Sequence, residues 1–221
     1  MERLQTAGLK VGPVTAAPAG WRDQMARMWP IDGVIGENGG LFFRRAAGEH
    51  GVAREFWHGE KKRREIADRL AAIARKIVAA WPSAVLADDQ PFRLASLAFP
   101  ISNSEVERRA IVAAPRKAIA DVTLNNLWIL VWIGGYHKLA MAWRVMADHY
   151  GLDIEADRDA VMYCSDSTND APMFGHFGHT VGVSTVRRYL SQIPVSPRWI
   201  TQGPGGDGFV EAANAVIASR A

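Results

Sequence analysis

The sequence has one cysteine and no long apolar run. Cys164 lacks a second cysteine for an intrachain disulfide, a CxxC redox pair or a multi-cysteine zinc site, and its apolar surroundings predict a buried small side chain. No apolar stretch approaches the roughly 20 residues of a membrane-spanning helix. The start of the chain also lacks the apolar segment and cleavage site of a signal peptide. These absences predict a cytoplasmic protein without a membrane partner.

The net charge of the chain is also small. The 26 basic and 23 acidic residues give a net charge of +3, and the longest basic run is Lys61 to Arg64. A run this short is typical of a solvated helix face, and the alternative, nucleic-acid binding, would depend on it alone. With 48% apolar and 22% charged residues, the 221 residues have the composition of a globular protein. They can form one large α/β domain or a core with a smaller inserted domain.

The first 44 residues predict the parts of an α/β core. Residues 2–7 have the pattern of the last turns of a helix that ends at Gly8, so the chain is expected to begin inside an element. A small-residue turn and the strong turn signal Glu37-Asn38-Gly39-Gly40 separate the elements that follow. These are a strand over residues 9–14, a helix over 21–29, a strand over 32–36 and an apolar run over 41–43.

The pattern changes near Gly48, which indicates an inserted α+β domain over residues 45–130. A long amphipathic helix is predicted from Lys61 to Trp81, because apolar residues recur at helical spacing. That apolar stripe consists of Ile66, Leu70, Ile73 and Ile77. Short strand-like runs surround the helix, at residues 85–87, 94–99, 110–113 and 122–131.

The last third returns to α/β alternation, so residues 1–44 and 131–221 are predicted to form the core domain. A continuous apolar run before Ser165 is typical of a strand buried in a parallel sheet. The predicted elements are a helix over residues 138–150, strands over 160–164, 180–183 and 199–201, and a closing helix over 208–218.

Polar residues follow two of the predicted strands. Ligands of open parallel sheets bind beyond the carboxyl ends of the strands, where Thr15 and Asp166 both lie. Asp166 and Asp170 could converge on one hard cation such as magnesium. Asn169 and its neighbouring hydroxyls suit an anion at a helix start. The alternative is that the two aspartates only cap and charge the start of that helix.

Four segments, in this order, resemble motifs of the haloacid-dehalogenase-like superfamily. They are Val14-Thr15, Glu37 to Gly40, Gly135-Tyr136-His137-Lys138, and the segment from Ser165 through Asn169-Asp170 to Phe174. The pattern is most similar to the sugar-phosphatase branch that includes sucrose phosphatase and mannosyl-3-phosphoglycerate phosphatase. This resemblance implies an α/β fold with a Rossmann-like parallel-sheet core, its first strand missing from this chain, and an inserted α+β cap over residues 45–130.

The resemblance also implies a chemistry, in which an aspartate attacks a phosphomonoester of a small sugar or sugar acid with the help of magnesium. Asp166 and Asp170 would hold the metal, and Lys138 would offset charge as the one catalytic residue present. Thr15, Ala16, Lys138 and Asn169 would bind the phosphate, and Asn38 and Trp128 are candidate substrate contacts. Alternatively, Thr15 is a plain strand-end hydroxyl and Lys138 a solvated lysine at a helix start.

The superfamily's first motif, Asp-x-Asp-x-Thr, occurs nowhere in the 221 residues. The nucleophile and the acid/base belong to that motif, so the chain as given is expected not to turn over. Ala16-Ala17, Ser165 and Trp128 also depart from the superfamily's pattern. Two explanations compete: a start assigned too late on a complete phosphatase, or an inactive pseudophosphatase that binds a phosphorylated ligand or a partner chain.

The tryptophans allow one more hypothesis. Trp57, Trp128 and Trp132 fall in or beside the predicted cap, where they could stack on a sugar, although packing in the core is the commoner role. His176 and His179 have a metal-like spacing, but the absence of a third ligand nearby favours a plain loop.

Overall fold

The computed structural model describes residues 1–46, 51–125, 127–153 and 155–220. The described chain contains both helices and strands. The α-helices are α1 (Glu2–Thr6), α2 (Ala19–Met28), α3 (Glu60–Ala80), α4 (Glu105–Lys117), α5 (Lys138–Tyr150), α6 (Ala171–His176) and α7 (Gly205–Ala218). The β-strands are β1 (Val34–Gly36), β2 (Leu41–Arg45), β3 (Val52–Phe56), β4 (Ser96–Pro100), β5 (Asp121–Leu124), β6 (Trp128–Trp132), β7 (Met162–Ser165), β8 (His179–Gly182) and β9 (Trp199–Ile200).

The chain divides into two compact units. The larger unit is Gly12–Met141, and the smaller unit combines Met1–Val11 with Ala142–Ala221. The larger unit contains two antiparallel sheets, β1-β2-β3 and β4-β6-β5, and the smaller unit contains the parallel sheet β7-β8-β9. This confirms the predicted α/β class with a parallel-sheet core. The predicted boundaries of the inserted domain, residues 45 and 130, stay a prediction.

The predicted strand over residues 9–14 is wrong. Only Val14 forms a β-bridge, in parallel with Ile35, where Ile35 N–H donates to Pro13 O at 2.9 Å. The segment contains Gly12 and Pro13, and proline has no N–H to donate to a neighbouring strand. Glycine adds backbone entropy that strand formation must remove. The segment therefore makes one bridge where the apolar pattern predicts a full strand.

The second sheet of the larger unit, β4-β6-β5, packs against helices α3 and α4 through one apolar core. All four residues of the predicted α3 stripe are buried in it, as helical periodicity requires. The other buried members of this core are Ala74, Ala84, Leu97, Phe99, Ile111, Ala120, Ile129, Val131 and Ile133.

Three of the predicted strands near this core differ from the structure. Residues 110–113 lie inside α4, whose N-cap Ser104 accepts a hydrogen bond from Glu107 N–H. The run over residues 122–131 is a hairpin of β5 and β6 rather than one strand. Asn125 Oδ1 makes the turn by accepting from the N–H groups of Leu127 and Trp128, at 2.9 and 2.7 Å. Residues 85–87 form no strand, and Ala87 N–H makes one bond to Ala98 O.

The smaller unit confirms the predicted parallel strands with shifted ends. β7 pairs with β8, and β8 pairs with β9, all in parallel. Only Tyr163 of β7 is fully buried, so Cys164, predicted to be buried, is half-buried. Apolar residues of α6, β8 and α7 supply much of this unit's core, among them Met173, Phe174, Val181 and Ala212. Among the described residues, no helix combines the length and the apolarity that crossing a membrane requires.

Candidate functional site

The acidic loop begins where β7 ends. Asp166 directly follows Ser165, and a 3₁₀ turn over Thr168–Asp170 leads into α6, with Pro172 in its first turn. Proline suits that position because the first helical N–H groups have no partner within the helix. Asp170 is the N-cap residue of α6, yet its side chain makes no capping hydrogen bond. The capping part of the alternative explanation therefore fails for the Asp170 carboxylate, and its charge interaction with the helix start stays a prediction.

The Asp170 carboxylate accepts hydrogen bonds from hydroxyls of β7. Tyr163 Oη donates to Asp170 Oδ1 at 2.8 Å, and Ser165 Oγ donates to Oδ2. Asp170 is only 1% exposed, so these bonds compensate for its lost hydration. Burial, together with the nearby Asp170 charge, raises the pKa of Tyr163 well above its usual value, so the phenol stays a donor.

The first aspartate of the loop also has a hydroxyl partner. Thr185 Oγ1 donates to Asp166 Oδ2 at 2.6 Å. Cys164 lies in β7 two residues before Asp166, where burial raises the pKa of its thiol to about 11, and the Asp166 charge adds to the effect. At neutral pH the thiol is therefore protonated.

The donor chemistry of this loop fits magnesium. Mg²⁺ is commonly bound by one or two protein carboxylates, with waters and substrate phosphate completing its octahedron. Asp166 and Asp170 supply that number of carboxylates within five residues of one another. Larger groups are not found: within the described ranges, no three His, Cys, Asp or Glu side chains are placed to hold a metal ion together. Two carboxylates are therefore the ligand set to consider.

In the larger unit, the predicted phosphate-binding turn starts at Thr15. Thr15 Oγ1 accepts from Ala17 N–H at 3.1 Å, and Thr15 O accepts from Asn38 N–H at 3.1 Å. Gly39 has φ +108°, and a Cβ there would lie 2.5 Å from His137 O, so only glycine fits. Lys138, the first residue of α5, is buried. The structure thus brings Thr15, Asn38 and the start of α5 together.

Ala16 lies beneath apolar side chains. It is 8% exposed and belongs to a cluster with Leu130, Trp132 and Tyr136, with Trp57 and Trp128 partly buried against that cluster. The tryptophan and tyrosine are anchored, since Trp132 Nε1 donates to Tyr136 O and Tyr136 Oη donates to Ala95 O, each at 2.9 Å. Trp132 therefore has the core-packing role, whereas Trp57 and Trp128 are only partly buried.

The predicted site residues are divided between the two units. Thr15, Ala16, Asn38, Trp128 and Lys138 belong to the larger unit, and Asp166, Asn169 and Asp170 belong to the smaller unit. Their assignment to phosphate, metal or substrate stays a prediction.

A buried glutamate beside Thr15 was not predicted from the sequence. Glu37 is 1% exposed and has φ +47°, an uncommon value for a residue with a side chain. Arg22 is buried nearby, and its burial lowers the pKa of the guanidinium to about 10. The carboxylate of Glu37 accepts four hydrogen bonds, from the N–H groups of Ala19, Leu94 and Ala95 and from Ser96 Oγ.

The sequence marks Glu37 only as part of a turn, because its partners are distant in the chain. Ser96, for instance, is 59 residues away. The hydroxyl partners of the aspartates differ in this respect. Tyr163 and Ser165 are two residues apart in one strand, so their side chains leave the same face. The sequence therefore contained a signal for the two hydroxyl partners of Asp170: two hydroxyl side chains at alternate positions of one strand, one of them a serine where the superfamily has glycine.

Lys61 to Arg64 form an ion-paired helix surface. Lys62 Nζ lies 3.1 Å from Glu65 Oε2, and Arg64 is paired with Glu60. Arg63 places its guanidinium 3.7 Å from the centre of the Phe56 ring. Local acidic and aromatic partners thus occupy three of the four cations, as expected of a solvated helix face.

No protein-family model matches the sequence, and no curated protein matches it. Solved structures share its fold. A protein of Thermoplasma acidophilum aligns over 96% of this chain and 85% of its own, with a TM-score of 0.72 and 13% identity. Sucrose-phosphatase from Synechocystis, in complex with sucrose and phosphate, aligns over 98% and 88%, with a TM-score of 0.68 and 11% identity. A sugar phosphatase of haloacid dehalogenase subclass IIB aligns over 97% and 88%, with a TM-score of 0.64 and 16% identity.

At these identities the similarity establishes the fold. The fold is that of sugar phosphatases of the haloacid dehalogenase superfamily, which the sequence motifs resemble.

Proposed function

We propose that this chain, with the fold of haloacid dehalogenase sugar phosphatases, carries the metal- and phosphate-binding part of a hydrolase for small phosphorylated sugars or sugar acids. The observation that carries the proposal is the acidic loop from Asp166 to Asp170 at the carboxyl end of a parallel strand. Ligands of parallel sheets bind at that end. We place the protein in the cytoplasm, with neither a nucleic acid nor a membrane as partner.

Each predicted residue has a task that suits its chemistry. Thr15, the backbone at Ala16 and Asn169 would bind phosphoryl oxygens, and Lys138 would offset their negative charge. Asp166 and Asp170 would hold magnesium, which when bound supplies positive charge to the phosphate. Asn38 and Trp128 would contact the sugar.

The 221 residues lack the Asp-x-Asp-x-Thr motif that contains the nucleophile of this phosphatase fold. Removing a nucleophile costs about four or more decades in rate, because the remaining groups cannot replace the covalent step. We therefore expect the chain by itself to bind without hydrolysing.

A phosphatase assay tests this expectation. With p-nitrophenyl phosphate and magnesium, the purified chain should release no product above background, and Asp170→Ala should not change that rate. Asp68→Ala, at an exposed position of α3, is the matched control. Turnover by the unmodified chain that Asp170→Ala abolishes and Asp68→Ala preserves would show that a nucleophile is present among these residues.

A second candidate function is non-hydrolytic binding of a phosphorylated ligand. It is favoured by the hydroxyl partners of both aspartates, which compensate for the carboxylates without a cation. Calorimetric titration with glucose 6-phosphate, with and without magnesium, separates the two candidates. Binding that needs magnesium and is lost in Asp166→Ala supports the phosphatase half-site, whereas binding that is indifferent to both supports the second candidate.

A further inference from the structure

The Asp170 carboxylate has a hydroxyl donor on each of its oxygens. Tyr163 Oη donates to Oδ1 at 2.8 Å, Ser165 Oγ donates to Oδ2, and the residue is 1% exposed. Of the two aspartates in the loop, Asp170 is thus the more deeply buried. A cation that binds Asp170 has to approach an oxygen that already accepts a hydrogen bond.

These two donors are placed by the strand itself. Tyr163 and Ser165 are alternate residues of β7, so their side chains project from one face. The 3₁₀ turn then returns the chain so that Asp170 lies beside that face, five residues after Ser165. The pairing is therefore a property of strand alternation and of one short turn.

A buried carboxylate is stabilised either by a cation or by hydrogen-bond donors, and losing both leaves an uncompensated charge. Two neutral hydroxyls meet that need without any metal. We infer that Tyr163 and Ser165 form a hydroxyl latch that competes with magnesium for Asp170 and weakens the metal site. This inference rests on the proposed function only in taking Asp170 as a metal ligand.

The opposite role for such hydroxyls predicts an opposite result. Hydrogen bonds to a ligating carboxylate often orient it and strengthen metal binding. If Tyr163 and Ser165 acted in that way, removing either hydroxyl would weaken magnesium binding. A latch predicts that removing either one strengthens it. The sign of the change in affinity therefore distinguishes the two roles.

The test is calorimetric titration of the full chain with Mg²⁺ alone, without substrate. Ser165→Gly and Tyr163→Phe should each bind Mg²⁺ about tenfold more tightly than the unmodified chain, the equivalent of about 1.4 kcal/mol. Controls are Ser191→Gly, at an exposed position, and Tyr189→Phe, both in the smaller unit, which should not change the affinity. The double variant Ser165→Gly with Asp170→Asn should lose the increase in Mg²⁺ affinity, because asparagine has no carboxylate to bind the ion.

A second readout covers variants that are less stable. With circular dichroism confirming the fold, saturating Mg²⁺ should raise the melting temperature of Ser165→Gly and Tyr163→Phe by more than that of the unmodified chain. Unchanged or weaker Mg²⁺ binding in both folded variants, including no binding at all, would overturn the latch. Phosphatase assays and sugar-phosphate titrations report on the proposed function separately, since neither enters this comparison.

Discussion

At the scale of single residues, the buried carboxylate of Glu37 accepts four hydrogen bonds. Its carboxylate joins the start of α2, through Ala19, to the segment 94–96 that leads into β4. Arg93, also buried, bonds to Asp89, to Ala16 O and to Ser96 Oγ in the same region. One side chain thus connects the turn that holds Thr15 with the beginning of the second sheet.

Replacing Glu37 should therefore be costly. Glu37→Ala leaves four donors without their acceptor and removes the negative charge that faces buried Arg22, for which we expect a loss of about 3 to 5 kcal/mol in the free energy of unfolding. Glu37→Gln keeps the shape and should cost less. Urea denaturation followed by circular dichroism measures both.

The control is Glu55→Ala. Glu55 is partly exposed, and its Oε1 lies 3.6 Å from Arg44 Nε, an ion pair of the solvent-accessible kind that contributes little. Equal losses for Glu37→Ala and Glu55→Ala would contradict the importance given to the buried carboxylate.

At the scale of elements, helix α4 shows how a helix-start signal can be overlooked beside an apolar run that resembles a strand. Its interior contains the run Ala110 to Ala113, whose apolar residues fit a short strand, yet the segment is helical. Ser104 and Glu107 have the spacing of a capping box, which indicates a helix start. The structure uses half of that motif: Ser104 Oγ accepts from Glu107 N–H at 3.3 Å, while the Glu107 carboxylate bonds to Ser83 and Ser102.

Ser104→Ala should consequently destabilise the chain by about 1 kcal/mol, the usual cost of losing an N-cap acceptor. Thermal denaturation checks the change, and Ser191→Ala, at an exposed position of the smaller unit, is the control. A restored melting temperature in Ser104→Asp would confirm that the lost interaction is the cap, because aspartate accepts the same bond. No change in Ser104→Ala would show that the cap adds nothing to this helix.

On the scale of the whole molecule, each of the two units has a deeply buried phenylalanine. Phe99 is completely buried in the larger unit, and Phe174 is 3% exposed in the smaller unit. A phenylalanine truncated to alanine in a core typically costs about 3 to 5 kcal/mol. Where cores are separate, such a loss acts mainly on the unit that contains it.

Hydrogen exchange measured by mass spectrometry tests whether each unit has a core of its own. Phe174→Ala should accelerate exchange in β7, α6 and β8 and leave β4, β5 and β6 unchanged. Phe99→Ala should give the reverse pattern, so each variant is the control for the other. Uniform acceleration across both units in either variant would show that the chain unfolds as one cooperative body.

The sequence by itself determined the features that depend on neighbours a few residues away. Helix α5 has the predicted bounds, Lys138–Tyr150, and the buried stripe of α3 is the predicted one. Both were predictable because the spacing of apolar residues repeats within every few residues of a helix. The acidic loop and its place after an apolar strand were also predictable, since both lie in one short stretch of chain. The motif order was sufficient to indicate the phosphatase fold.

Only the tertiary structure decided how distant segments pair. It left residues 9–14 with a single bridge to Ile35, and it gave Asp166 a partner, Thr185, 19 residues away. It also gave the Asp170 carboxylate two hydroxyl donors, Tyr163 and Ser165. A strand or a buried charge can take its hydrogen-bond partners from any part of the chain. The local sequence pattern therefore shows that partners are required, but only the folded structure shows which residues they are.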